Sequence, residues 1–189
     1  MKKTIIFISS FNNETTTVSF NNETTTVSYE QLSDIESELK ERNITIGTGC
    51  TIENKVCIGL GVTIGENSII NEATEICDEC VIGNNCIIGR NSIIEYGAQI
   101  GNNCKFGSNI VINDSNKIGD NVHIGDSAYI DANIGNGCQI GDESIICECS
   151  KLGIECVIGN DCTIQIDCYL GDRVVLKDDS FIAQGSTIK

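Results

Sequence analysis

A large aliphatic residue recurs every six positions from Ile46 to Ile188, with one two-residue deletion between Ile130 and Ile134. Of the 25 positions in this series, 21 are isoleucine, three are leucine and one is phenylalanine. The residue two places earlier is usually small, and alternate residues of a strand point to the same side. Each six-residue unit therefore predicts a short strand with an aliphatic and a small side chain directed inward and the residue between them directed outward.

Glycine reveals a longer period of 18 residues. The position after the aliphatic residue is always glycine in one unit of every three, glycine five times in eight in the next, and once in eight in the third. This predicts an all-β solenoid of about eight coils with a triangular cross-section, in which three corners separate three faces. Glycine at a corner is expected to supply backbone freedom for a tight turn.

The three faces differ in their outward residues. The first face carries Thr45, Thr63, Val81, Gln99, Lys117, Asn133, Lys151, Tyr169 and Thr187. The second face carries Thr51, Ile69, Ile87, Lys105, His123, Gln139, Val157 and Val175. The third face carries Cys57, Glu75, Ile93, Val111, Tyr129, Ile145, Thr163 and Phe181. Because a long apolar stripe is a liability on a monomer, the third face predicts an oligomer interface through Ile93, Val111, Tyr129, Ile145 and Phe181.

Residues 1–45 lie outside the repeat and predict an N-terminal cap on the solenoid of residues 46–189. Thr4 to Ser9 reads as a short strand, and the segment from Phe11 to Ser19 is then repeated without change from Phe20 to Ser28. Since nine is odd, one continuous strand would change faces between the copies, so a polar loop or a hairpin is expected. Ser28 and Gln31 form a capping-box pattern for an amphipathic helix that places Leu32, Ile35 and Leu39 on one side.

Twelve cysteines raise the question of disulfides. Eight of them fall at the small inward position: Cys50, Cys80, Cys86, Cys104, Cys138, Cys156, Cys162 and Cys168. Their side chains are expected to run parallel on stacked coils about 4.8 Å apart, which is poor geometry for a disulfide. The pattern predicts buried, reduced thiols. Cys147-x-Cys149 offers two metal ligands without a partner histidine, and surface thiols are favoured there.

Charge and hydropathy limit the partners. The formal net charge is −15, which argues against a nucleic-acid or anionic-membrane surface. The apolar run near Met1 is too short for a signal peptide, and no segment is long enough to cross a bilayer. A cytoplasmic protein is predicted. No capping helix follows Lys189, so the last coil is expected either to stack on a partner or to lack further coils.

The six-residue pattern over residues 46–189 resembles the hexapeptide-repeat superfamily, whose fold is a left-handed parallel β-helix and whose members commonly form trimers. Within it, the segment from Ile112 to Ile124 is most similar to sugar O- and N-acyltransferases, which often read Ile-x-His-Asp-Cys-x-Ile-Gly-Asp-x-Val-His-Ile. Here the second half matches, including His123. The first half places Asp114 at the usual catalytic base and Ser115 at the acid after it.

The resemblance implies transfer of an acyl group, such as acetyl, from acyl-CoA to a sugar or amino-sugar acceptor in a homotrimer. A base removes the acceptor proton and a backbone N–H stabilises the oxyanion. His123 and Asp114 are the catalytic candidates, Lys105 and Gln139 the substrate-binding ones, and Arg173 and Lys177 the candidates for the CoA phosphates. No bound cofactor is expected. No metal is expected either, because the metal site of the γ-class carbonic anhydrases of this fold needs three histidines and this chain has one.

A second function class stays open at the level of sequence. The usual base is missing, no long loop interrupts the coils, and no basic patch stands out for the CoA phosphates. A non-catalytic β-helix that acts as a scaffold or a self-assembling structural protein would show the same features. The segment around His123 is therefore read as an acyltransferase-like site with its usual base replaced, with the scaffold as the alternative.

Overall fold

The computed structural model describes residues 5–9, 15–20, 23–28, 39–53 and 55–189. From Thr45 onward the chain winds into a parallel β-solenoid, and each coil contributes one short strand to each of three faces. The predicted all-β solenoid of about eight coils is thus confirmed. The strand starts fall on the six-residue period because each strand consists of one outward residue followed by its inward aliphatic residue.

The second face is a separate eight-stranded sheet. Its strands are β5 (Thr51–Ile52), β8 (Ile69–Ile70), β11 (Ile87–Ile88), β14 (Lys105–Phe106), β17 (His123–Ile124), β19 (Gln139–Ile140), β21 (Val157–Ile158) and β24 (Val175–Leu176). They pair in parallel and in register from coil to coil, so the outward residues of the second face form one straight row.

The first and third faces are joined into one sheet by two long strands, β18 (Tyr129–Ile134) and β20 (Ile145–Leu152), which run from the third face around the corner to the first. The other first-face strands are β4 (Thr45–Ile46), β7 (Thr63–Ile64), β10 (Val81–Ile82), β13 (Gln99–Ile100), β16 (Lys117–Ile118), β23 (Tyr169–Leu170) and β26 (Thr187–Ile188). The other third-face strands are β6 (Val56–Ile58), β9 (Glu75–Ile76), β12 (Ile93–Ile94), β15 (Val111–Ile112), β22 (Thr163–Ile164) and β25 (Phe181–Ile182).

The interior consists of the aliphatic and small residues that the pattern placed inward. Ile58, Ile70, Ile94, Ile112 and Ile130 are fully buried. At the two ends of the solenoid the aliphatic residues Ile46, Ile52, Leu176, Ile182 and Ile188 are only partly buried. Burying one such side chain contributes roughly 1.5–3 kcal/mol. The inward row repeats on every coil, so each coil buries its aliphatic residues against the coils before and after it.

The inward cysteines are buried thiols, as predicted. All twelve cysteines are free; of the eight inward ones, seven are buried and Cys50 is half-buried. Each inward thiol donates a hydrogen bond to a carbonyl of the next coil, as Cys86 Sγ does to the Gly101 oxygen at 3.1 Å. Ser68 uses its hydroxyl in the same way on the Gly83 oxygen at 3.0 Å. Cysteine and serine are thus interchangeable donors at this position.

The corner glycines have a different role from the one expected. The residue with positive φ at a corner lies three places after the aliphatic residue, and it is most often asparagine, as in Asn121 (φ 58°). Gly119 does not adopt a positive φ; a Cβ on it would lie 2.7 Å from the backbone nitrogen of Asn136. Glycine is required there because the next coil passes too close for a side chain, so the expectation of backbone freedom was wrong at this position.

Acidic and amide side chains hold the corners together. Asp120 Oδ1 accepts a hydrogen bond from the backbone N–H of Asn102 at 2.6 Å, and Asn136 Oδ1 accepts one from the N–H of Asp120 at 3.0 Å. At the corner after the second face, Asp126 Oδ1 accepts from the Ser108 N–H at 2.6 Å. Part of the large negative charge is therefore structural.

The two-residue deletion lies at the corner inside β18, where no residue between Ile130 and Ile134 has positive φ. In a regular coil the Gln99 N–H donates to the Asn116 carbonyl, whereas here the Lys117 N–H donates to Asn133 Oδ1 at 2.9 Å. Asp131 accepts from the side-chain amide of Asn113 at 2.8 Å. Side-chain oxygens thus replace the backbone groups of the missing turn.

The N-terminal strands β1 (Ile5–Ser9), β2 (Thr15–Phe20) and β3 (Glu23–Ser28) form an antiparallel meander. β2 and β3 come from the two copies of the duplicated segment, so the hairpin alternative is the observed one. β1 also pairs antiparallel with β6 and covers that edge of the third-face sheet. Residues 39–41 are helical, and Leu39 packs against the core; the predicted helical positions before Leu39 lie outside the described residues.

Candidate functional site

Three outward side chains of the second face form a short row. Lys105 pairs with His123 and His123 with Gln139 on the parallel strands β14, β17 and β19, so the three side chains lie on consecutive coils. All three are exposed. Among the described residues none of the three side chains has a hydrogen-bond or ion-pair partner. The sequence prediction that they lie side by side is consistent with this register, and their side chains are available to a ligand.

These side chains line an open groove of about 440 Å³. Its base is the sheet itself, with Phe106, Ile124 and Ile140 behind it. One side is formed by the corner glycines and Asp142, and the far end by Val157. The sequence analysis did not name Asp142 and Val157 as groove residues. Their positions in the repeat could have indicated it, because Asp142 comes two residues after β19 and Val157 is the next outward residue of the second face after Gln139.

The backbone amides around the groove are already used. The N–H groups of Gly107, Gly125 and Gly141 donate to carbonyls of the next coil at 2.8 to 2.9 Å. Those of Asp126 and Asp142 donate to side-chain oxygens of the next coil at 2.7 and 2.9 Å. A backbone oxyanion donor was expected, but these amides are not free. Lys105 and Gln139 are the donors that the groove offers to a developing negative charge.

Asp114 does not join His123. It is exposed at the corner between the third and first faces, next to Ser115 with its φ of 58°. That corner is opposite the second face in the triangular cross-section, and Asp114 does not line the groove. Within one protomer the two catalytic candidates are therefore on different sides of the solenoid.

Arg173 and Lys177 bracket the last strand of the second face, β24. Both are exposed, Arg173 at the corner before the strand and Lys177 at the corner after it. Val175 lies on the same coil as these two cations and pairs with Val157 at the far end of the groove; the side chains of Val157 and Val175 are 38% and 67% exposed. The two cations are thus outside the groove but in line with it.

The thiols of Cys77 and Cys147, at the corner between the third and first faces, are poor nucleophiles. Burial, helped by the nearby Glu95 carboxylate, raises the pKa of Cys77 to about 12. Burial likewise raises the pKa of Cys147, with Asp131 adding to the effect. No group of three or more histidine, cysteine or acidic side chains in the described part of the chain could hold a metal ion. Over the same residues, no helix has the length and apolar character to span a membrane.

Solved structures share this fold. One is a UDP-N-acetylglucosamine acyltransferase from Campylobacter jejuni, with 20% identity, a TM-score of 0.59, and coverage of 76% of this chain and 64% of that chain. Another is the UDP-N-acetylglucosamine O-acyltransferase from Moraxella catarrhalis, with 21% identity, a TM-score of 0.65, and coverage of 75% and 65%. The chain therefore spans slightly less than two thirds of these proteins, and at such identities the likeness shows the fold alone.

Two family models match the sequence. The model of the GMPPB C-terminal domain matches residues 90–189, more than half of the chain and all of the groove. The model of the hexapeptide repeat of succinyl-transferase matches residues 55–87. No curated protein matches. The chain carries the hexapeptide repeat, has the left-handed parallel β-helix fold of the hexapeptide-repeat superfamily, and belongs to the family of the GMPPB C-terminal domain.

Proposed function

We propose that this chain is a cytoplasmic acyltransferase that transfers an acyl group, such as acetyl, from acyl-CoA to a hydroxyl or amine of a sugar or amino sugar. The observation that carries the proposal is the exposed, unpartnered imidazole of His123 between Lys105 and Gln139 in the second-face groove. An imidazole is the side chain that most often serves as a general base at neutral pH.

His123 would accept the proton of the acceptor hydroxyl or amine as that atom attacks the thioester carbonyl. The tetrahedral intermediate places negative charge on the former carbonyl oxygen, and Lys105 is the cation next to His123 that would stabilise it. Collapse breaks the carbon–sulfur bond, and the CoA thiolate takes the proton back from the imidazolium. Gln139 would orient the acceptor by hydrogen bonds to its hydroxyl groups.

The acyl-CoA would lie along the row of the second face. From His123 the row continues over Gln139, Val157 and Val175, and three coil steps span about 14 Å. The exposed valines would pack against the pantetheine arm, and Arg173 and Lys177 at the end of the row would bind the CoA phosphates. This direction is supported by the order polar groove, apolar strip, cationic end along one face.

Assembly would follow from the third face. Tyr129, Ile145 and Phe181 are 37%, 43% and 65% exposed there, and Ile93 and Val111 are half-buried. A homotrimer through this face would cover them. It would also bring the corner that carries Asp114 towards a neighbouring protomer, which is the arrangement in which Asp114 contributes to catalysis despite its distance from His123 in its own chain.

The test measures release of free CoA from acetyl-CoA with a panel of amino sugars. We expect His123→Ala to lower the rate by about 10²–10⁴-fold, the usual contribution of a general base. Lys117→Ala is the matched control, because Lys117 is an exposed in-register lysine on the first face, and it should keep the wild-type rate. Equal background rates in the wild type and both variants would refute the acyltransferase.

A non-catalytic scaffold is the second candidate. It is favoured by the corner of Asp114 and Ser115, where the similar acyltransferases carry their base and the acid after it, and by a groove without a free backbone amide. On this alternative the second face binds a partner protein, and His123→Ala changes neither CoA release nor assembly.

A further inference from the structure

The Asp142 carboxylate lies beside the end of the strand that carries His123. A Cβ added to Gly125, two residues after His123, would collide with Asp142 Oδ1 and would lie 2.6 Å from the Asp142 backbone nitrogen. Asp142 and His123 also line the same groove. Among the described residues, no hydrogen bond or ion pair joins their side chains. The carboxylate and the imidazole are therefore neighbours that one small ligand can contact together.

One oxygen of this carboxylate is fixed and the other is unused. Asp142 Oδ1 accepts a hydrogen bond from the backbone N–H of Asp126 at 2.7 Å, which holds the side chain over the corner. Within the part of the chain that the structure describes, Oδ2 accepts no hydrogen bond and the carboxylate has no cation partner. Asp142 is exposed, so this oxygen is open to a donor in the groove.

The corner does not require a negative charge at Asp142. Asn160 has the same place one coil later, and its Oδ1 accepts the Asp142 N–H at 2.9 Å. Asp126 has the same place one coil earlier, and its Oδ1 accepts the Ser108 N–H at 2.6 Å. An amide thus makes the same bond as a carboxylate. Asp126 is also exposed but does not line the groove, which makes it a matched control for Asp142.

The charges of the groove are separated across His123. Lys105 pairs with His123 from the coil before it, and Asp142 lies on the coil after it, beyond Gln139. A positively charged group of a ligand is repelled by Lys105 and attracted by Asp142. Such a group would therefore bind on the Asp142 side of the groove, and His123 would receive a neutral group of the same ligand.

We propose that the acceptor is a sugar with a free, protonated amine, that Asp142 binds this ammonium, and that His123 takes the proton of a neighbouring hydroxyl. The inference rests on the acyltransferase function proposed above and narrows its acceptor to a cationic amino sugar that is acylated on oxygen. An amine held as an ammonium has no lone pair for attack, so the hydroxyl is the nucleophile. Asp142 is on this proposal a specificity-determining residue.

The reaction leaves the ammonium unchanged. The hydroxyl oxygen gives its proton to His123 and forms a bond to the thioester carbonyl carbon. The carbon–sulfur bond then breaks, and the CoA thiolate takes the proton from the imidazolium. The products are an O-acyl amino sugar and free CoA, with no net release of protons. Acylation of the amine would instead consume the ammonium and release one proton for each CoA.

Binding is tested first, without acyl-CoA. His123 is the only histidine, so its ring C–H signals in an NMR spectrum report on the groove alone. Glucosamine is titrated beside glucose, which lacks the amine, and N-acetylglucosamine, whose nitrogen is neutral. We expect glucosamine to bind about fivefold more tightly than either, the upper end for an exposed ion pair. Salt should reduce this preference.

Two variants test the assignment to Asp142. Asp142→Asn keeps the oxygen that accepts the Asp126 N–H, as Asn160 shows for its own corner, so the fold should persist and the preference for glucosamine should disappear. Asp126→Asn removes a carboxylate of the same corner row outside the groove and should keep the preference. Circular dichroism checks the fold of both variants.

The product is tested second, with acetyl-CoA and glucosamine. We expect an ester that hydroxylamine cleaves, an amine that still reacts with fluorescamine, and no proton release; samples are quenched in acid so that the acyl group does not move to the amine. Equal binding of the three sugars, an equal loss of preference in both variants, or an amide product would overturn the proposal. A preference for glucosamine without CoA release would refute the acyltransferase and still support Asp142 as the ammonium site.

Discussion

The second and third faces share one interior and differ in the residues that they present outward. Behind both faces a large apolar residue repeats from coil to coil and is buried in the middle coils, as Ile124 is behind β17 and Ile112 behind β15. Outward, the second face has the polar row around His123, whereas the third has Val111, Tyr129 and Ile145 at corresponding heights. In each strand the inward residue packs the core and the outward residue forms the surface. A substitution at an outward position is therefore expected to change binding or assembly and to leave the packing of the core unchanged.

Charge placed on each face in turn is expected to have the largest effect. Val111→Glu with Ile145→Glu should convert the proposed trimer into monomers, because two carboxylates would be buried in an apolar contact. The matched pair, Val157→Glu with Val175→Glu on the second face, should leave the assembly intact. Light scattering measures the molar mass of both. Dissociation of the second variant alone would show that the second face is the interface.

Truncating a buried residue behind either face is expected to have a smaller effect, and one of equal size on the stability of the protein. Ile124→Ala and Ile112→Ala should each lower the free energy of unfolding by about 2–5 kcal/mol, the range for removing a buried aliphatic side chain. The two values should agree within the scatter of such data although the faces differ outward. Chemical denaturation monitored by circular dichroism gives both. A loss confined to one of the two would mean that the coils are not equivalent inside.

The smallest effect is the pH dependence of the interior. Burial raises the pKa of Cys80 and of Cys138 to about 11, from an ordinary value of 9.0. A thiol with a raised pKa in the folded state contributes stability that is fully present below pH 9.0 and is lost as the pH rises through about 11. The Tm should therefore be level up to pH 9.0 and decline above it.

The control for that decline is the double variant Cys80→Ser with Cys138→Ser. Serine hydroxyls do not ionise in this range, so the fall in Tm between pH 9.0 and 11 should become shallower. An identical fall in the variant and the parent would assign the loss of stability to lysine or tyrosine titration instead. Cys80 lies behind the first face and Cys138 behind the second, so the single variants also compare two faces.

The sequence predicted the coils because the period and the chemistry of the inward positions admit few alternatives. Its errors lie where two coils meet. Glycine at position 119 was predicted to provide backbone freedom for the turn. It is required instead because the backbone of Asn136, one coil later, leaves no room for a side chain. The sequence showed the deletion between Ile130 and Ile134. It did not predict the hydrogen bonds that Asp131 and Asn133 accept there, because these bonds join residues of neighbouring coils. The meander of β1 to β3 was only one of two expected outcomes.

The sequence by itself thus determined which side chains lie inside, that the cysteines are free thiols, and that Lys105, His123 and Gln139 form a row. Each of these follows from the period along one chain. Only the tertiary structure decided that the amides around the groove are engaged, that the next coil passes too close to Gly119 for a side chain, and that the side chain of Asn133 replaces a backbone group of the missing turn. The physical reason is that coil stacking sets these distances through hydrogen bonds between residues far apart in the chain.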